Sequence, residues 1–481
     1  MLPDPISIPP SVLVAIAVQA FWLVWTAINF LRRNDDLPVV VAVFLAYCGS
    51  YRFLANCFGF TNWVDLGAMF GGSVSLEHAG SALMLIAFGQ SALLISYQIL
   101  QNKMVVFQQE LLPGFLSSRL RLLLVILTCT GLPLILWSRQ YTGRQAEAGM
   151  SMAFEISSYT QQFPMMALAL AVFAFLAWRF GVLRNGGEKI ACFILLLVIG
   201  YLTFGPTGRF MFLGWIIGGS YIFSTFWFGR KRMLVLLGSA VAALALFGIA
   251  GAMRYEQESG TFSASLDRTA AAEDANMLDG LVLLMQVYPK QLPFQYGMGH
   301  FEILERPIPR ALWPGKPVGG YMNKLGIFNA GSSGTTGISP TLFGSFYTEG
   351  GWGAVFILSL IYGWAFARIV SYSCELRPLF GVLIRACLLG GIIPLLRGGD
   401  LPGIYAWLGM AFWPVFLFLF WNREYLRSSL VKATGDTGSR KRNRKKRARE
   451  TGEHAAPYSV AAAESRRLKI DSDKAGGSTE S

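Results

Sequence analysis

The stretch IACFILLLVIGYLTFGPTGRFMFLGWIIGGSYIFSTFWF, residues 190–228, decides the fold class of this chain. Its 39 residues carry one charge, Arg209, directly after the helix-breaking run GPTG at 205–208. About 20 apolar helical residues cross the hydrocarbon core of a bilayer. Backbone polar groups inside lipid must be bonded within their own segment, which favours helices. The stretch therefore predicts two membrane helices joined by a tight turn at GPTG.

The rest of the chain repeats this apolar pattern. Of 481 residues, 53% are hydrophobic and 14% are charged, a balance that a single water-soluble core does not need. The first apolar stretch follows the proline-rich run MLPDPISIPP without a small-residue cleavage site, so we expect an anchor rather than a removed signal peptide. An all-α polytopic integral membrane protein with about eleven transmembrane helices is predicted from the apolar stretches 11–31, 37–56, 79–100, 120–138, 162–178, 190–204, 209–228, 234–252, 349–367, 379–396 and 401–421.

One long polar segment, 253–340, divides the chain into parts. Residues 1–252 hold the first eight predicted spans, 253–340 form one large loop, 341–421 hold the last three spans, and 422–481 form a basic tail. Within the loop, 263–288 predict an amphipathic helix able to lie on the membrane. The tail includes SRKRNRKKRARE and predicts a disordered segment near anionic headgroups, rather than a nucleic-acid-binding module.

The distribution of basic residues predicts the orientation. If the N-terminus is outside, the short cytoplasmic connections carry thirteen Lys and Arg residues, whereas the short outside connections carry four. The positive-inside rule therefore predicts an outside N-terminus and a cytoplasmic C-terminus. The large loop then lies outside as well.

Neither a metal nor another cofactor is predicted. The six cysteines and three histidines have no spacing typical of a metal site or a disulfide framework. Metal-dependent glycosyltransferases usually have paired acids on an early outside loop. Here that loop, 57–78, offers only Asp65 and Glu77.

Four arginines on the predicted outer side are the main chemical signal. Arg209, Arg254 and Arg397 stand at helix ends, and Arg310 stands in the large loop. A guanidinium stays charged and presents a planar fork that matches phosphate oxygens. The cluster therefore predicts a pyrophosphate-binding site, and a structural ion pair is the alternative for each member.

Two carboxylates are candidates for a general base that takes the proton of a sugar hydroxyl. Glu349 lies at the outer end of the ninth apolar stretch, and Asp400 follows Arg397 by three residues. Helix capping is the alternative for Glu349, and an ion pair with Arg397 is the alternative for Asp400. Arg52 and Arg385 lie within spans, where charges normally face the protein interior. Both ligand binding and structural pairing stay open for these two.

The large loop contains the run IPRALWPGKP at 308–317, which resembles the P-R-x-x-W-P-x-K-P element of the Wzy-type O-antigen polymerases, a family of bacterial repeat-unit polymerases. The surrounding runs YGMG at 296–299, PTLFG at 340–344 and EGGWG at 349–353 fit this resemblance. The GPTGR turn is similar to the glycine-arginine element of the same family. In motif terms the resemblance covers residues 200–365.

The resemblance implies a metal-independent, GT-C-like glycosyltransferase of the bacterial inner membrane. Such an enzyme transfers a growing glycan from undecaprenyl pyrophosphate to the non-reducing end of a second lipid-linked repeat unit at the periplasmic face. Undecaprenyl-pyrophosphate-linked oligosaccharides and membrane lipids are the implied partners, without nucleic acid. Whether a chain-length regulator also binds stays open.

The same resemblance assigns roles to individual residues. Arg209, Arg254 and Arg310 would hold the pyrophosphates, with Lys316 close by, and Arg310 would act catalytically by neutralising the leaving group. The expectation for Glu349 or Asp400 remains that one of them takes the acceptor proton. Loop aromatics are candidates for stacking on sugar faces, with packing inside the loop as the alternative for each, and these are Trp313, Tyr321 and Phe328.

Three rival classes stay open. An O-antigen ligase uses a similar donor and differs in its acceptor, and we would expect a histidine among its outside motifs, where only His300 stands. A flippase or transporter more often has small outside loops, whereas this loop has 88 residues. A non-catalytic subunit of a polysaccharide assembly machine would not need four outside arginines.

Overall fold

The structure is a computed structural model that describes residues 8–63, 74–101, 104–107, 109–142, 165–203, 209–252, 276–305, 308, 312–313, 339–399 and 401–426. Helices account for 82% of these residues, and no strand occurs among them. The predicted all-α class is therefore confirmed for the part of the chain that the structure describes. The predicted tail enters this part only as far as residue 426.

The described residues form a series of α-helices with short connections. A π-helical turn, Tyr47–Tyr51, joins the second helix to the third, and a 3-10 turn, Arg423–Tyr425, follows the last one. In chain order the α-helices are α1 Pro10–Arg33, α2 Leu37–Ala46, α3 Arg52–Cys57, α4 Leu76–Leu100, α5 Gly114–Thr142, α6 Met166–Arg179, α7 Gly186–Thr203, α8 Arg209–Ser224, α9 Gly229–Ala252, α10 Met277–Val287, α11 Met298–Glu305, α12 Thr341–Glu375, α13 Pro378–Arg397 and α14 Leu401–Trp421.

Eight helical segments of the described residues are long and apolar enough to cross a membrane. The chain is thus a helical protein of the multi-pass membrane type. Each of the eleven predicted apolar stretches overlaps at least one described helix, but α6 and the part Leu213–Ser224 of α8 are shorter than a span requires, and α9 is not among the eight segments. The eight segments are Pro10–Arg33, Leu37–Cys57, Leu76–Leu100, Gly114–Trp137, Gly186–Thr203, Thr341–Glu375, Pro378–Arg397 and Leu401–Trp421.

Local sequence explains where several helices begin and end. The hydroxyl of Ser75 accepts a hydrogen bond from the backbone N–H of His78 at 3.2 Å, which satisfies one of the unpaired N–H groups at the start of α4. α1 ends at Asn34, which has a left-handed φ of 59°. α13 ends at Gly398 with a φ of 72°. Such residues turn the chain away from the helix axis.

The side chain of Gln19 in α1 holds the π-helical turn between α2 and α3. Its Nε2 donates to the carbonyl of Leu45 at 3.3 Å, and its Oε1 accepts from the N–H of Ser50 at 3.1 Å. A π turn departs from the regular i to i−4 bonding of an α-helix, so the amide supplies partners from outside the helix. Immediately after the turn, Arg52 pairs with Asp279 at 3.1 Å.

Connections that the charge count groups on one side of the membrane contact one another. On the predicted cytoplasmic side, the N–H of Val105 donates to the carbonyl of Arg33 at 2.8 Å. On the other side, the hydroxyl of Ser345 donates to the carbonyl of Gly399 at 2.8 Å. This grouping agrees with alternating spans, while the side that faces the cytoplasm stays a prediction.

The prediction that residues 263–288 form a helix on the membrane surface is wrong for the described part, 276–288. α10 begins at Met277, and every side chain from Met277 to Leu284 is buried, against α4 and α12. A helix that is apolar all round is expected inside a protein rather than on a membrane surface. The one charge in that run, Asp279, is neutralised by Arg52. Residues 263–275 lie outside the described residues.

Two glycines allow α8 and α13 to pack closely. A Cβ atom on Gly214 would lie 2.7 Å from the carbonyl oxygen of Gly390, and a Cβ atom on Gly390 would lie 3.0 Å from that of Gly214. Small residues at helix interfaces in membranes allow such backbone approach. With this packing, 83% of the 18 most apolar consecutive residues of α13 are buried.

We expect Gly214→Ala to lower the Tm of the full chain in detergent micelles, because the added methyl group pushes α8 from α13. Overpacking of this kind usually costs about 1–3 kcal/mol. Gly238→Ala and Gly409→Ala are matched controls, since their methyl groups meet nothing within 4 Å and Ala is favoured over Gly in helices by about 1 kcal/mol. Equal Tm values for all three variants would contradict the close approach.

Candidate active site

The predicted site residues differ in how far the structure describes them. Glu349, Arg397 and Trp313 are described, as is the backbone of Arg209, the first residue of α8. That the four outer arginines lie close together therefore stays a prediction. The predicted site residues that lie outside the described part are Arg254, Arg310, Lys316, Tyr321, Phe328 and Asp400.

Glu349 ends a buried segment at the start of α12. The segment Thr341–Glu349 is buried throughout, and Glu349 itself is only 4% exposed. The helix breaks at the next two residues, where Gly351 has a φ of 66°. Glycine adopts this left-handed conformation without steric cost. The break therefore leaves Glu349 at the end of a short helix rather than in the middle of a long one.

The run YGMG wraps around the carboxylate of Glu349. The N–H of Gly297 donates to Oε2 at 2.6 Å, and the N–H of Tyr296 donates to the backbone carbonyl of Glu349 at 2.9 Å. Tyr296 and Gly297 both have a positive φ, 47° and 93°. A Cβ atom on Gly299 would collide with Oε1 of Glu349. The glycines of this run are thus required by the approach of the backbone to the carboxylate.

His300 completes the contacts of Glu349. Its Nδ1 lies within hydrogen-bond distance of Oε1 of Glu349, at 3.2 Å. The His300 side chain is 27% exposed, whereas that of Glu349 is 3% exposed. The imidazole ring stacks on Phe346 at an interplanar angle of 28°. His300 is therefore the accessible member of a Glu–His pair.

Two tyrosines extend this pair into the helix bundle. His300 Nε2 lies 3.2 Å from the hydroxyl of Tyr362, and the hydroxyl of Tyr405 donates to that of Tyr362 at 2.7 Å. Tyr362 stands eleven residues after Gly351, about 16 Å along α12 at 1.5 Å per residue. Polar clusters at such depth in a membrane protein usually serve function. Glu349, His300 and the two tyrosines form the polar chain that we take as the candidate active site.

Arg397 lies close to the segment that carries Glu349. It is the last residue of α13, and the turn after it contacts α12, because Gly399 N–H donates to the hydroxyl of Ser345 at 3.3 Å. Ser345 precedes Glu349 by about one helical turn. Arg397 is half-buried. Its predicted neighbour Asp400 lies outside the described residues.

Trp313 is an exposed side chain. It is 36% exposed, and the preceding Leu312 is 78% exposed. Its proposed stacking on a sugar stays a prediction.

The in-span arginines have structural partners. Besides Asp279, Arg52 contacts the hydroxyl of Thr61 at 2.8 Å. Arg385 pairs with Asp35 at 3.0 Å and with Asp36 at 3.3 Å. These contacts favour the structural alternative for both arginines.

Arg385 belongs to a charge quartet with Asp35, Asp36 and Arg232. Arg232 pairs with Asp36 at 2.8 Å, and all four residues are at most 6% exposed. The hydroxyl of Tyr97 donates to Asp35 at 2.6 Å. Burial raises the pKa of Asp36, and the charges of Arg232 and Arg385 oppose that rise. The quartet has no net charge when all members are ionised.

Sequence reasoning named His300 only as the histidine that an O-antigen ligase could use, did not pair it with Glu349, and missed Tyr362 and Tyr405. His300 directly follows YGMG, and that adjacency was the one available signal. A sequence separation of 49 between His300 and Glu349 gives no periodicity that would predict their contact. Among the described residues, no group of three His, Cys, Asp or Glu side chains could hold a metal ion.

We expect Gly299→Ala and Glu349→Ala to be coupled in thermal stability. In the natural chain, the Gly299→Ala methyl group displaces the carboxylate, and Tm falls. In the Glu349→Ala background the carboxylate contact is gone and only Oε1 of Gln295, 2.8 Å from the methyl group, must still move, so part of this loss disappears. Coupling energies between residues in contact are usually about 0.5–3 kcal/mol. A double-mutant cycle measures the coupling, and strictly additive effects would show that Gly299 does not face Glu349.

Comparison of the chain with protein-family models, with curated proteins and with solved structures finds no match.

Proposed function

We propose that this chain is a glycosyltransferase of the bacterial inner membrane that polymerises oligosaccharide repeat units linked to undecaprenyl pyrophosphate. Reaction at the periplasmic face would produce O-antigen or another surface polysaccharide. The proposal includes eleven spans, a GT-C-like arrangement, a periplasmic N-terminus and a cytoplasmic C-terminus. Its support from sequence is the run IPRALWPGKP, the large loop and the outer arginines.

One observation carries the proposal beyond the sequence. The Glu349–His300 pair is buried at the carboxylate and accessible at the imidazole. It is built by YGMG and EGGWG, two of the runs on which the family resemblance rests. A histidine oriented by a carboxylate is a common general base.

The proposed reaction forms one glycosidic bond and breaks one bond to pyrophosphate. The acceptor hydroxyl oxygen attacks the anomeric carbon of the donor glycan, and its proton passes to Nε2 of His300. Glu349 then stabilises the imidazolium through Nδ1–H. The bonding electrons leave with the lipid pyrophosphate. Holding both lipid-linked substrates together lowers the entropic part of the barrier.

The basic residues complete the proposed site. Negative charge grows on the departing pyrophosphate, and fixed positive groups stabilise it in the transition state. Arg310 acts on the leaving group, with Lys316 beside it. Arg209, Arg254 and Arg397 hold the remaining phosphate oxygens.

An O-antigen ligase is the second candidate. A histidine among the outer motifs was the feature expected of that class, and the contact between His300 and Glu349 is the observation that favours it. Donor and leaving group are the same in both reactions. The difference is the acceptor, a lipid A core in place of a lipid-linked repeat unit.

A gel of surface polysaccharide tests the proposal and separates it from the rivals. In a strain without this gene, wild-type chain restores long polymers, whereas Glu349→Gln and His300→Ala leave a single repeat on the final acceptor. His78→Ala is the matched control, since His78 is exposed and lies on the same predicted side.

Three other results would contradict a polymerase. Loss of all surface glycan, with long chains accumulating on the lipid carrier, means a ligase. Accumulation of unpolymerised lipid-linked units on the cytosolic face means a transporter. Normal polymer from both variants, at normal protein levels, removes the Glu–His pair from the reaction.

We expect Arg310→Ala to reduce polymer yield by about 10²-fold, the usual loss when one stabilising charge or donor is removed from a transition state. Arg209→Ala and Arg254→Ala should also shorten the polymer. Arg368→Ala is the control, because Arg368 is exposed on the predicted cytoplasmic side. Unchanged polymer length and yield in all three outer variants, with normal expression, would contradict the pyrophosphate site.

A further inference from the structure

Both nitrogens of the His300 imidazole face protein groups. Nδ1 lies 3.2 Å from Glu349 Oε1, and Nε2 lies 3.2 Å from the hydroxyl of Tyr362. The hydroxyl of Tyr362 therefore occupies the position from which a substrate hydroxyl would donate to Nε2, and a substrate proton can reach Nε2 through that hydroxyl.

The carboxylate of Glu349 fixes the direction of every hydrogen in this chain. An ionised carboxylate only accepts hydrogen bonds, so Nδ1 of His300 carries a hydrogen. In a neutral imidazole the other nitrogen is then an acceptor, and Nε2 accepts the hydroxyl hydrogen of Tyr362. Tyr362 has no second hydrogen, so its oxygen accepts from Tyr405, as the 2.7 Å contact has it.

Tyr362 is well held for this role. It is 9% exposed, and its ring packs edge-on against Phe346 and Phe366, with centroid distances of 4.8 Å and 6.1 Å. Its oxygen has a second lone pair besides the one that faces Tyr405. In the proposal below, this second lone pair is where a sugar hydroxyl donates.

We propose that Tyr362 is a catalytic residue that carries the acceptor proton to His300, and that Tyr405 is a positioning residue that holds Tyr362 in line. As the acceptor O–H bond breaks, its proton moves to the Tyr362 oxygen, and the hydrogen of Tyr362 moves to Nε2. The tyrosine is unchanged by this step, and His300 becomes the imidazolium. The catalytic part rests on the proposed function, whereas the direction of the hydrogens does not.

Nitrogen-15 NMR of the histidine-labelled full chain in nanodiscs tests the direction first. The chain has three histidines, and the His300→Gln variant identifies the signal of His300. We expect a neutral His300 with its hydrogen on Nδ1. A hydrogen on Nε2 in the neutral state would overturn the proposal, whatever the activity of the protein.

The polysaccharide gel then tests the carrier role. Tyr362→Phe removes the hydroxyl and keeps the ring, so we expect polymer yield to fall by about 10²-fold, within the usual range for lost acid–base catalysis. Tyr405→Phe should give a smaller fall. Tyr425→Phe is the control, because this ring packs at a tilt against Phe115 and lies under the guanidinium of Arg119 at a distant connection.

The NMR signal of Tyr362→Phe distinguishes carrying from positioning. If Tyr362 carries a proton, His300 keeps its hydrogen on Nδ1 in this variant, because Glu349 still holds it, and polymer is lost all the same. If Tyr362 only positions the ring, polymer loss is accompanied by loss of the single Nδ1–H signal, and the carrier role is overturned. Normal polymer from Tyr362→Phe also overturns it. If the wild-type chain does not restore polymer in the strain without this gene, the proposed function is contradicted. The NMR result on the direction of the hydrogens would still hold.

Discussion

The charge quartet is the constraint on which the rest of this helix bundle depends. Asp35 and Asp36 occupy the turn between α1 and α2, Arg232 lies in α9, and Arg385 lies in α13. Lipid is as apolar as a leucine side chain, so apolar contact alone does little to fix which face of a membrane helix turns inward. Buried ions must meet their partners, since removing one from such a group usually costs about 3–5 kcal/mol. The quartet therefore fixes how far each of these helices is rotated about its axis.

The candidate site depends instead on a local interruption of helical structure. Gly350 and Gly351 interrupt α12 directly after Glu349, and the positive φ angles of Tyr296 and Gly297 bend the facing chain around the carboxylate. The backbone N–H of Gly297 can then reach the carboxylate of Glu349, which lies at the end of a helical segment and not in the middle of a continuous helix. At the candidate site, glycines allow the backbone to bend around a carboxylate, whereas in the bundle paired charges hold helices together. In both places polar groups are brought together inside an apolar protein.

Sequence predicted the helices well and the contacts poorly, for physical reasons. Apolar stretches such as 379–396 are long enough that their length alone predicts a helix in lipid, and α13 has nearly these bounds. Charge counting grouped the connections but could not predict partners, so Arg52 and Asp279, 227 residues apart, were judged separately. The amphipathic interpretation of 263–288 failed over Met277–Val287 because the charge of Asp279 is buried in an ion pair with Arg52. His300 and Tyr362 approach each other only because α11 and α12 do, and no local pattern encodes that approach.

The π-helical turn between α2 and α3 makes this region sensitive to chain length in a way that composition does not reveal. A π turn takes up more residues than a turn of α-helix, and each residue of an α-helix rotates the next by about 100°. Inserting one further residue into Tyr47–Tyr51, which already holds more residues than an α-helical turn, would leave an apolar segment of nearly the same hydropathy, still suited to a membrane. It would also rotate Arg52 away from Asp279 and withdraw the partners of Gln19. A change that leaves the predicted membrane insertion unaltered would thus separate the buried charges of Arg52 and Asp279 from each other.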